Sequence, residues 1–217
     1  EALDFILLTH AHIDHSGLLP RLYRKGSRAP IFSTAPTNGL LKFLLADAAG
    51  IQESEAAREI KKRQRRGEPP VEPLYEMADA EAALKHLRDV EYDEWISPGP
   101  GARARYWNAG HILGSASIEV EIEDGGEKPV RILFSGDIGP NEKTFYLEPD
   151  SPSGLDYVVC ESTYGGRERD AYTLENRRAV LAGEINDAMA RGGNLIIPTF
   201  AVERSQELLH DIGVLIK

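Results

Sequence analysis

The stretch THAHIDHSG, residues 9–17, decides the fold of this chain. It follows the apolar run FILL at residues 5–8, so its histidines lie where a predicted buried strand ends in a loop. Three of the chain's six histidines fall in this stretch, which makes an ordinary polar surface loop the weaker alternative. Imidazole and carboxylate groups suit zinc or a similar metal, and the stretch offers four of them, namely His10, His12, Asp14 and His15.

The composition predicts a soluble globular protein. The 217 residues suffice for one large domain, and the single cysteine, Cys160, excludes an internal disulfide. Its place in the apolar run LDYVVC predicts a buried structural thiol, and a reducing, cytoplasmic location fits. No stretch is long enough to span a bilayer, and no signal segment is recognisable. The net charge of -10 argues against nucleic-acid binding by the whole surface, although a local basic patch can reverse the field.

Helical patterns follow the histidine stretch. The strand PIFST, residues 30–34, leads into a predicted helix that starts at Pro36, and a second helix is expected from about Glu53 to Arg66. The second helix carries a basic cluster with few apolar residues to bury. This cluster is either a solvated helix face or an arm that contacts phosphates. It includes Lys61, Lys62, Arg63, Arg65 and Arg66.

The second half of the chain contains short strands and then two helices. The loop GHILGSA, residues 110–116, precedes a predicted hairpin made of SIEVEIE and VRILFS. From residue 155 the pattern is strand, helix, strand, helix, with the helices expected at about 173–191 and from about 202. The second strand of this part is NLIIPTF, residues 194–200. Such alternation predicts parallel strand pairing.

Three further polar residues lie at predicted strand ends: His111, Asp137 and Glu161. Asp137, in FSGDIG, is flanked by glycines that let the backbone turn tightly, although an Asx turn or helix cap would explain it as well. A lone histidine such as His111 is usually a hydrogen-bonded core residue. Together with the first cluster, however, these residues suggest two neighbouring ions. Three imidazoles would hold the first ion, Asp14 and His15 the second, and Asp137 would be shared.

The motifs HAHIDHSG, AGHILGSA and FSGDIG resemble the successive metal-binding motifs of the metallo-β-lactamase fold. ESTYG and GGNLIIPTFAVERSQELL resemble the beginning of its nucleic-acid-processing branch, the beta-CASP family, and above all its RNA-cleaving members. The resemblance implies an α/β fold, an incomplete αββα sandwich. It implies a metallo-β-lactamase domain over residues 1–170 and the start of an inserted beta-CASP domain over 171–217. The chain is expected to lack family segments at both ends.

The resemblance also implies the roles of the site residues. His10, His12 and His111 would hold one zinc ion, Asp14 and His15 a second, and Asp137 would bridge the two. Asp14 would orient the bridging hydroxide, and Glu161 would be an accessory acid that orients a histidine beyond the end of this chain. His210 lies in a predicted helix where the family has no metal motif, so we expect it to serve packing or the surface.

The function expected from these motifs is zinc-dependent hydrolysis of RNA phosphodiesters, whether endonucleolytic or 5'-3' exonucleolytic. Two alternatives are a hydrolase of small esters or thioesters on the same fold and a metal-free scaffold subunit of an RNA-processing complex. RNA is the expected partner. Single-stranded DNA and a homodimer stay open, and no membrane is involved. Arg204, in the first turn of the last helix, is either a phosphate contact or part of an ordinary crossover helix.

Overall fold

The computed structural model of the chain describes residues 3–123, 125–140, 143–145, 147–168 and 173–216. Within these ranges the strands form two sheets. The first sheet has three parallel strands in the order β1-β2-β3. Their bounds are Ile6–Leu7, Ile31–Thr34 and Leu87–Val90. Because helices connect the parallel strands, one face of this sheet is covered by helices.

The second sheet has five strands in sequence order, β4 to β8. Neighbouring strands are antiparallel, except that β8 runs parallel to β7. The bounds are Trp95–Gly99, Ala102–Asn108, Ala116–Ile122, Val130–Phe134 and Tyr157–Val159. The hairpin expected from SIEVEIE and VRILFS is therefore confirmed as β6 and β7.

The two sheets face each other across an apolar layer. Val90, Tyr106 and Ile118 are buried in it, with Phe32 of the first sheet packed against them. The hydroxyl of Tyr106 donates a hydrogen bond of 2.8 Å to the carbonyl of Phe32, which joins the sheets directly. Helices cover the outer face of the first sheet through a second core cluster. This layering confirms the predicted α/β class and fits an incomplete αββα sandwich.

The helices are α1 to α6, with bounds Ile13–Ser16, Leu19–Arg24, Ala35–Gln64, Met77–Leu84, Leu174–Arg191 and Arg204–Leu215. Thr173 caps α5 by accepting a hydrogen bond from the Asn176 amide, so the helix expected at about 173–191 is confirmed. The prediction of two helices between residues 36 and 66 is wrong, because α3 is one helix of 30 residues. Its buried residues continue along one side past the expected break, at positions 41, 45, 49 and 56. The glycine at position 50 costs only about 1 kcal/mol in such a helix.

A charged network lies on the face of the second sheet that points away from the first. Glu119 is fully buried there, and its two carboxylate oxygens accept hydrogen bonds from Arg105, Arg131 and Trp107. The guanidinium of Arg105 also stacks on the ring of Trp107, 4.3 Å from its centroid. Burial alone would raise the pKa of Glu119, but the bonds from Arg131, Trp107 and Arg105 lower it overall. This network holds β5, β6 and β7 in register.

Two sequence expectations after residue 155 are wrong. Residues 194–200 form no strand. They pair with no strand in the described ranges, and Ile196 and Phe200 are largely exposed, so this segment has neither the hydrogen bonds nor the burial of a sheet strand. Cys160 is exposed rather than buried, since it directly follows β8, whose residues are all exposed at the end of the second sheet. The expected domain boundary at residues 170 and 171 lies outside the described residues. Among the described helices, none combines the length and apolar character needed to cross a bilayer.

Candidate metal centre

The first histidine loop connects β1 to α1. The hydroxyl of Ser16 donates hydrogen bonds to the carbonyls of Ala11 and His12, at 2.9 and 3.0 Å, and folds the loop back on itself. His10 is fully buried, and its Nδ1 lies 3.1 Å from the hydroxyl of Thr9. The loop therefore fixes the rings of His10 and His12 at the end of the first sheet.

His111 comes from a second histidine loop, which connects β5 to β6. The hydroxyl of Ser115 accepts hydrogen bonds from the amides of His111 and Ile112, at 2.9 and 3.1 Å. The hydroxyls of Thr34 and Thr37, at the start of α3, donate to the carbonyl of Gly114. Because both sheets contribute to holding this loop, His111 faces the first histidine loop.

The loop after β7 supplies Asp137 and depends on two glycines. Gly136 has a φ of +56°, and a Cβ there would lie 2.8 Å from the Cβ of Thr9. A Cβ on Gly139 would lie 1.7 Å from the carbonyl oxygen of Gly110, a distance no side chain can tolerate. The two flanking glycines singled out in FSGDIG thus allow the aspartate loop to touch both histidine loops.

The three loops bring four potential metal ligands together. Each of His10, His12, His111 and Asp137 offers one ligand atom, and these atoms all lie within 4.8 Å of one another. Nε2 of His111 is 3.0 Å from Nδ1 of His12 and 3.4 Å from Oδ2 of Asp137. The same carboxylate oxygen is 3.8 Å from Nε2 of His10. The histidine rings meet edge to face, with centroids about 5 Å apart.

The electrostatics of this cluster favour neutral imidazoles. Burial, followed by the neighbouring histidines, lowers the pKa of His10 to about 2. Burial, His12 and Lys143 lower the pKa of His111 to about 4, and burial also lowers that of His12. Neutral imidazole is the form that binds a metal. Nε2 of His10 is also buried and accepts or donates no hydrogen bond within the described residues, so the donor set fits a zinc ion.

Asp14 and His15, the residues expected at a second ion, lie beside this cluster in α1. Nε2 of His15 is 3.3 Å from Oδ1 of Asp137 and 3.7 Å from Oδ2 of Asp14. The side chain of Asp14 is 74 % exposed. The two oxygens of Asp137 thus face different partners, Oδ1 toward His15 and Oδ2 toward His10 and His111.

Glu161 lies next to the Asp137 loop. Its Oε1 accepts a hydrogen bond of 2.7 Å from the amide of Ile138, and its own amide donates to the hydroxyl of Ser135. Burial alone would raise the pKa of Glu161, but the hydrogen bonds from Ile138 and Thr163 lower it overall. The carboxylate is therefore charged at neutral pH and lies beside the loop that carries Asp137.

The expected substrate contacts are distributed unevenly. Arg204 is the first residue of α6, and its guanidinium bonds Glu207 at 2.8 Å. Lys61, Lys62 and Arg63 lie far from the cluster, because Lys61 follows Thr37 by 24 residues in the same helix, a distance of about 36 Å along its axis. His210 lies in α6 with its ring against Phe145, and it is not among the four clustered ligands.

Two residues near His111, Lys143 and Glu203, were not predicted as site residues, although Glu203 lies in the quoted stretch GGNLIIPTFAVERSQELL. The ammonium of Lys143 donates hydrogen bonds to the carbonyl of His111 and to Glu203. The side chains of both residues are only 2 % exposed. Neither lies in one of the glycine-bounded histidine or aspartate motifs, and burial of a charge is not visible in a sequence.

Comparison with known proteins agrees with this geometry. A family model described as the metallo-beta-lactamase superfamily matches residues 1–182. The chain belongs to this superfamily, which confirms the prediction of a metal-dependent hydrolase fold. The resemblance to the beta-CASP branch is confirmed by relatives that align over nearly the whole chain.

One relative is ribonuclease TTHA0252 of Thermus thermophilus, which is 37% identical over 208 residues, covering 96% of this chain and 42% of the relative. Another is transcription termination factor FttA of Methanothermobacter thermautotrophicus, which is 36% identical over 213 residues, covering 96% and 30%. FttA of Pyrococcus abyssi is 36% identical over 210 residues, covering 95% and 30%. The chain thus spans less than half the length of these relatives.

Proposed function

We propose that this chain forms the metal-binding part of a zinc-dependent RNA phosphodiester hydrolase. The observation that carries the proposal is the convergence of three imidazoles and one carboxylate from three separate loops, with their ligand atoms within 4.8 Å. Nε2 of His10 is buried and has no hydrogen-bond partner among the described residues, which would be costly in a site that held nothing.

Zinc bound at such a site would lower the pKa of a coordinated water toward neutrality and polarise a phosphoryl oxygen. The residues of this chain would position the reacting groups. His10, His12 and His111 would hold the first ion, while Asp14 and His15 would hold a second beside it. Asp137, whose two oxygens face the two sets, would bridge them. Asp14 is the exposed carboxylate of the site, so it can accept a proton from the attacking water.

We propose that Glu161 acts beside the metal centre, next to the loop that carries Asp137. Its carboxylate is charged and is fixed by the amide of Ile138. A carboxylate in this position can orient an imidazole through a hydrogen bond and so select its tautomer. We propose that this imidazole comes from one of the later histidine motifs of the beta-CASP family, and that residues 171–217 begin the inserted beta-CASP domain.

RNA as the substrate is supported by the relatives, one named a ribonuclease and the others transcription termination factors. The proposed contacts with the phosphate backbone are Arg204, Lys61, Lys62 and Arg63. Since the three basic residues lie about 36 Å or more along α3 from Thr37, which bonds the His111 loop, they would contact a different part of the strand than the scissile bond.

Metal analysis and cleavage assays test the proposal together. We expect the purified chain to contain zinc, and we expect His12→Ala to reduce the zinc content. RNA labelled at one end, compared with labelled single-stranded DNA and with a thioester substrate, reports the substrate class. Product lengths distinguish internal from terminal cleavage. Any cleavage should disappear in His12→Ala and Asp14→Ala, with His86→Ala as the matched control, because the ring of His86 stacks on Tyr23 away from the cluster.

The alternatives have distinct outcomes. Faster turnover of a thioester than of any RNA would favour a small-substrate hydrolase. RNA binding by a chain that takes up no zinc would favour a metal-free scaffold. Cleavage that survives both His12→Ala and Asp14→Ala would contradict the two-ion mechanism.

A further inference from the structure

A buried ion pair lies directly behind the candidate metal centre. Lys143 follows the Asp137 loop, and its ammonium group donates to the backbone carbonyl of His111 and to the carboxylate of Glu203. Both side chains are 2 % exposed. Burial lowers the pKa of Lys143 and raises that of Glu203, while the hydrogen bond between them opposes both shifts. Burying such a pair costs free energy unless its geometry is good. A function at this position would explain why the chain carries the pair.

The backbone is strained at Glu203, the residue whose carboxylate bonds Lys143. Glu203 has φ 70° and ψ -60°, which is unusual for a residue with a side chain. The amide of Arg204 donates a hydrogen bond of 3.0 Å to the carbonyl of Val202, so Glu203 is the centre of a γ-turn of the rarer, strained type. Such strain persists only when the surroundings impose it, and it concentrates at functional sites. Here the turn places Glu203 against Lys143 at the beginning of α6.

Thr144, the residue after Lys143, links the same segment to α5. The hydroxyl of Thr144 is 3.1 Å from the guanidinium of Arg177 in α5. Arg177 in turn bonds Asp211 of α6 at 2.7 Å. Residues 143 and 144 therefore connect both helices to the carbonyl of His111, one of the four clustered residues.

We propose that Lys143, held by Glu203, is a positioning residue that fixes the backbone of His111 and thereby couples the start of α6 to the metal centre. The inference rests on the proposed function, because it treats His111 as a metal ligand. The hydroxyl of Ser115 holds the amide side of the His111 loop. Lys143 holds the carbonyl of the same residue, and together the two bonds restrict rotation of the peptide units on either side of the imidazole.

The first test measures metal binding by Lys143→Met. This substitution keeps most of the length of the side chain but removes the donor to His111. Zinc affinity is measured by competition with a chromophoric chelator, and Co²⁺ absorption reports the ligand geometry directly. We expect Lys143→Met to bind zinc about 10- to 100-fold more weakly than the unmodified chain, with an altered Co²⁺ spectrum, as substitutions behind metal ligands typically do.

The double variant Lys143→Met with Glu203→Met separates positioning from folding. Lys143→Met alone leaves a buried carboxylate without its cation, and this can destabilise the chain. The double variant removes both charges while keeping similar side-chain length, so we expect its midpoint of urea unfolding to recover. Its zinc affinity should remain as low as that of Lys143→Met, because the donor to the His111 carbonyl is still absent.

Arg178→Met is the matched control. It also removes a cation that bonds a buried carboxylate, since Nε of Arg178 is 2.8 Å from Asp211, but it has no contact with the His111 loop in the described structure. We expect a lower unfolding midpoint with zinc affinity and Co²⁺ spectrum unchanged.

Three results would overturn the inference. Unchanged zinc affinity and Co²⁺ spectrum in both Lys143 variants would leave the proposed function intact and reject the positioning role. A double variant that regains zinc affinity along with stability would show that Lys143 acts through folding alone. Failure of the unmodified chain to bind zinc or Co²⁺ would reject the metal centre itself and this inference with it.

Discussion

Replacing His10 by leucine should change the stability of the chain in opposite directions with and without zinc. His10 is fully buried, and its Nε2 has no hydrogen-bond partner within the described residues. Its nearest carboxylate oxygen, Oδ2 of Asp137, is 3.8 Å away, too far for a hydrogen bond. In the metal-free chain, an apolar side chain of similar size removes this unsatisfied nitrogen.

The magnitude follows from two terms. Removing a buried polar group without a partner should gain about 1–3 kcal/mol, and losing the contact between Nδ1 and the hydroxyl of Thr9 should cost about 1 kcal/mol. In chelator, His10→Leu should therefore be neutral or more stable by up to about 2 kcal/mol. Zinc at about a thousand times its dissociation constant would add about 4 kcal/mol to the unmodified chain. The variant should lose most of that increment, because it lacks one ligand.

Urea unfolding followed by circular dichroism, in chelator and in excess zinc, measures both numbers. His86→Leu is the matched control, because the ring of His86 stacks on Tyr23 outside the cluster, and its effect should be the same in both conditions. Equal destabilisation of His10→Leu with and without zinc would refute the assignment of His10 as a ligand. Strong destabilisation of the metal-free chain by His10→Leu, measured in chelator, would refute the argument from the unsatisfied nitrogen.

Other substitutions probe the rest of the structure. Glu119→Gln should lower the free energy of unfolding by about 1–3 kcal/mol, because it removes the charge of a buried carboxylate that accepts hydrogen bonds from Arg105 and Arg131. Because folding lowers the pKa of Glu119, its carboxylate stabilises the folded chain above the unfolded pKa. This stabilisation is lost as the pH falls through the folded pKa. Glu119→Gln should therefore lose less stability on acidification than the unmodified chain. Gly139→Ala should reduce zinc affinity, since its Cβ would meet the Gly110 carbonyl, whereas Gly166→Ala, in open space, should not. The double variant Lys61→Gln with Lys62→Gln should leave zinc affinity unchanged. If these residues contact phosphates, the slope of log RNA affinity against log salt concentration should become shallower by the equivalent of about two phosphate contacts.

Local patterns predicted the elements that surround the site. The apolar run before His10 predicted a strand that ends in a loop, and the glycines beside Asp137 predicted a tight turn. Both features depend on neighbours in sequence, and so they could be inferred without a structure. The break expected in α3 was wrong because the burial of Ala49 and Ala56 continues the helix past Gly50, and such burial depends on the elements packed around it.

The amino-acid sequence by itself determined the chemistry of this protein: which residue types stand at which strand ends, and hence a metal-binding hydrolase fold. Only the tertiary structure decided which atoms meet. His12 and His111 are separated by 99 residues yet have ring nitrogens 3.0 Å apart, a distance set by two sheets and three loops together. The Lys143–Glu203 pair, and the His10 nitrogen that has no partner in the described part of the chain, were equally invisible in the sequence. Burial, strain and hydrogen-bond satisfaction are properties of packed neighbours, and no local pattern carries them.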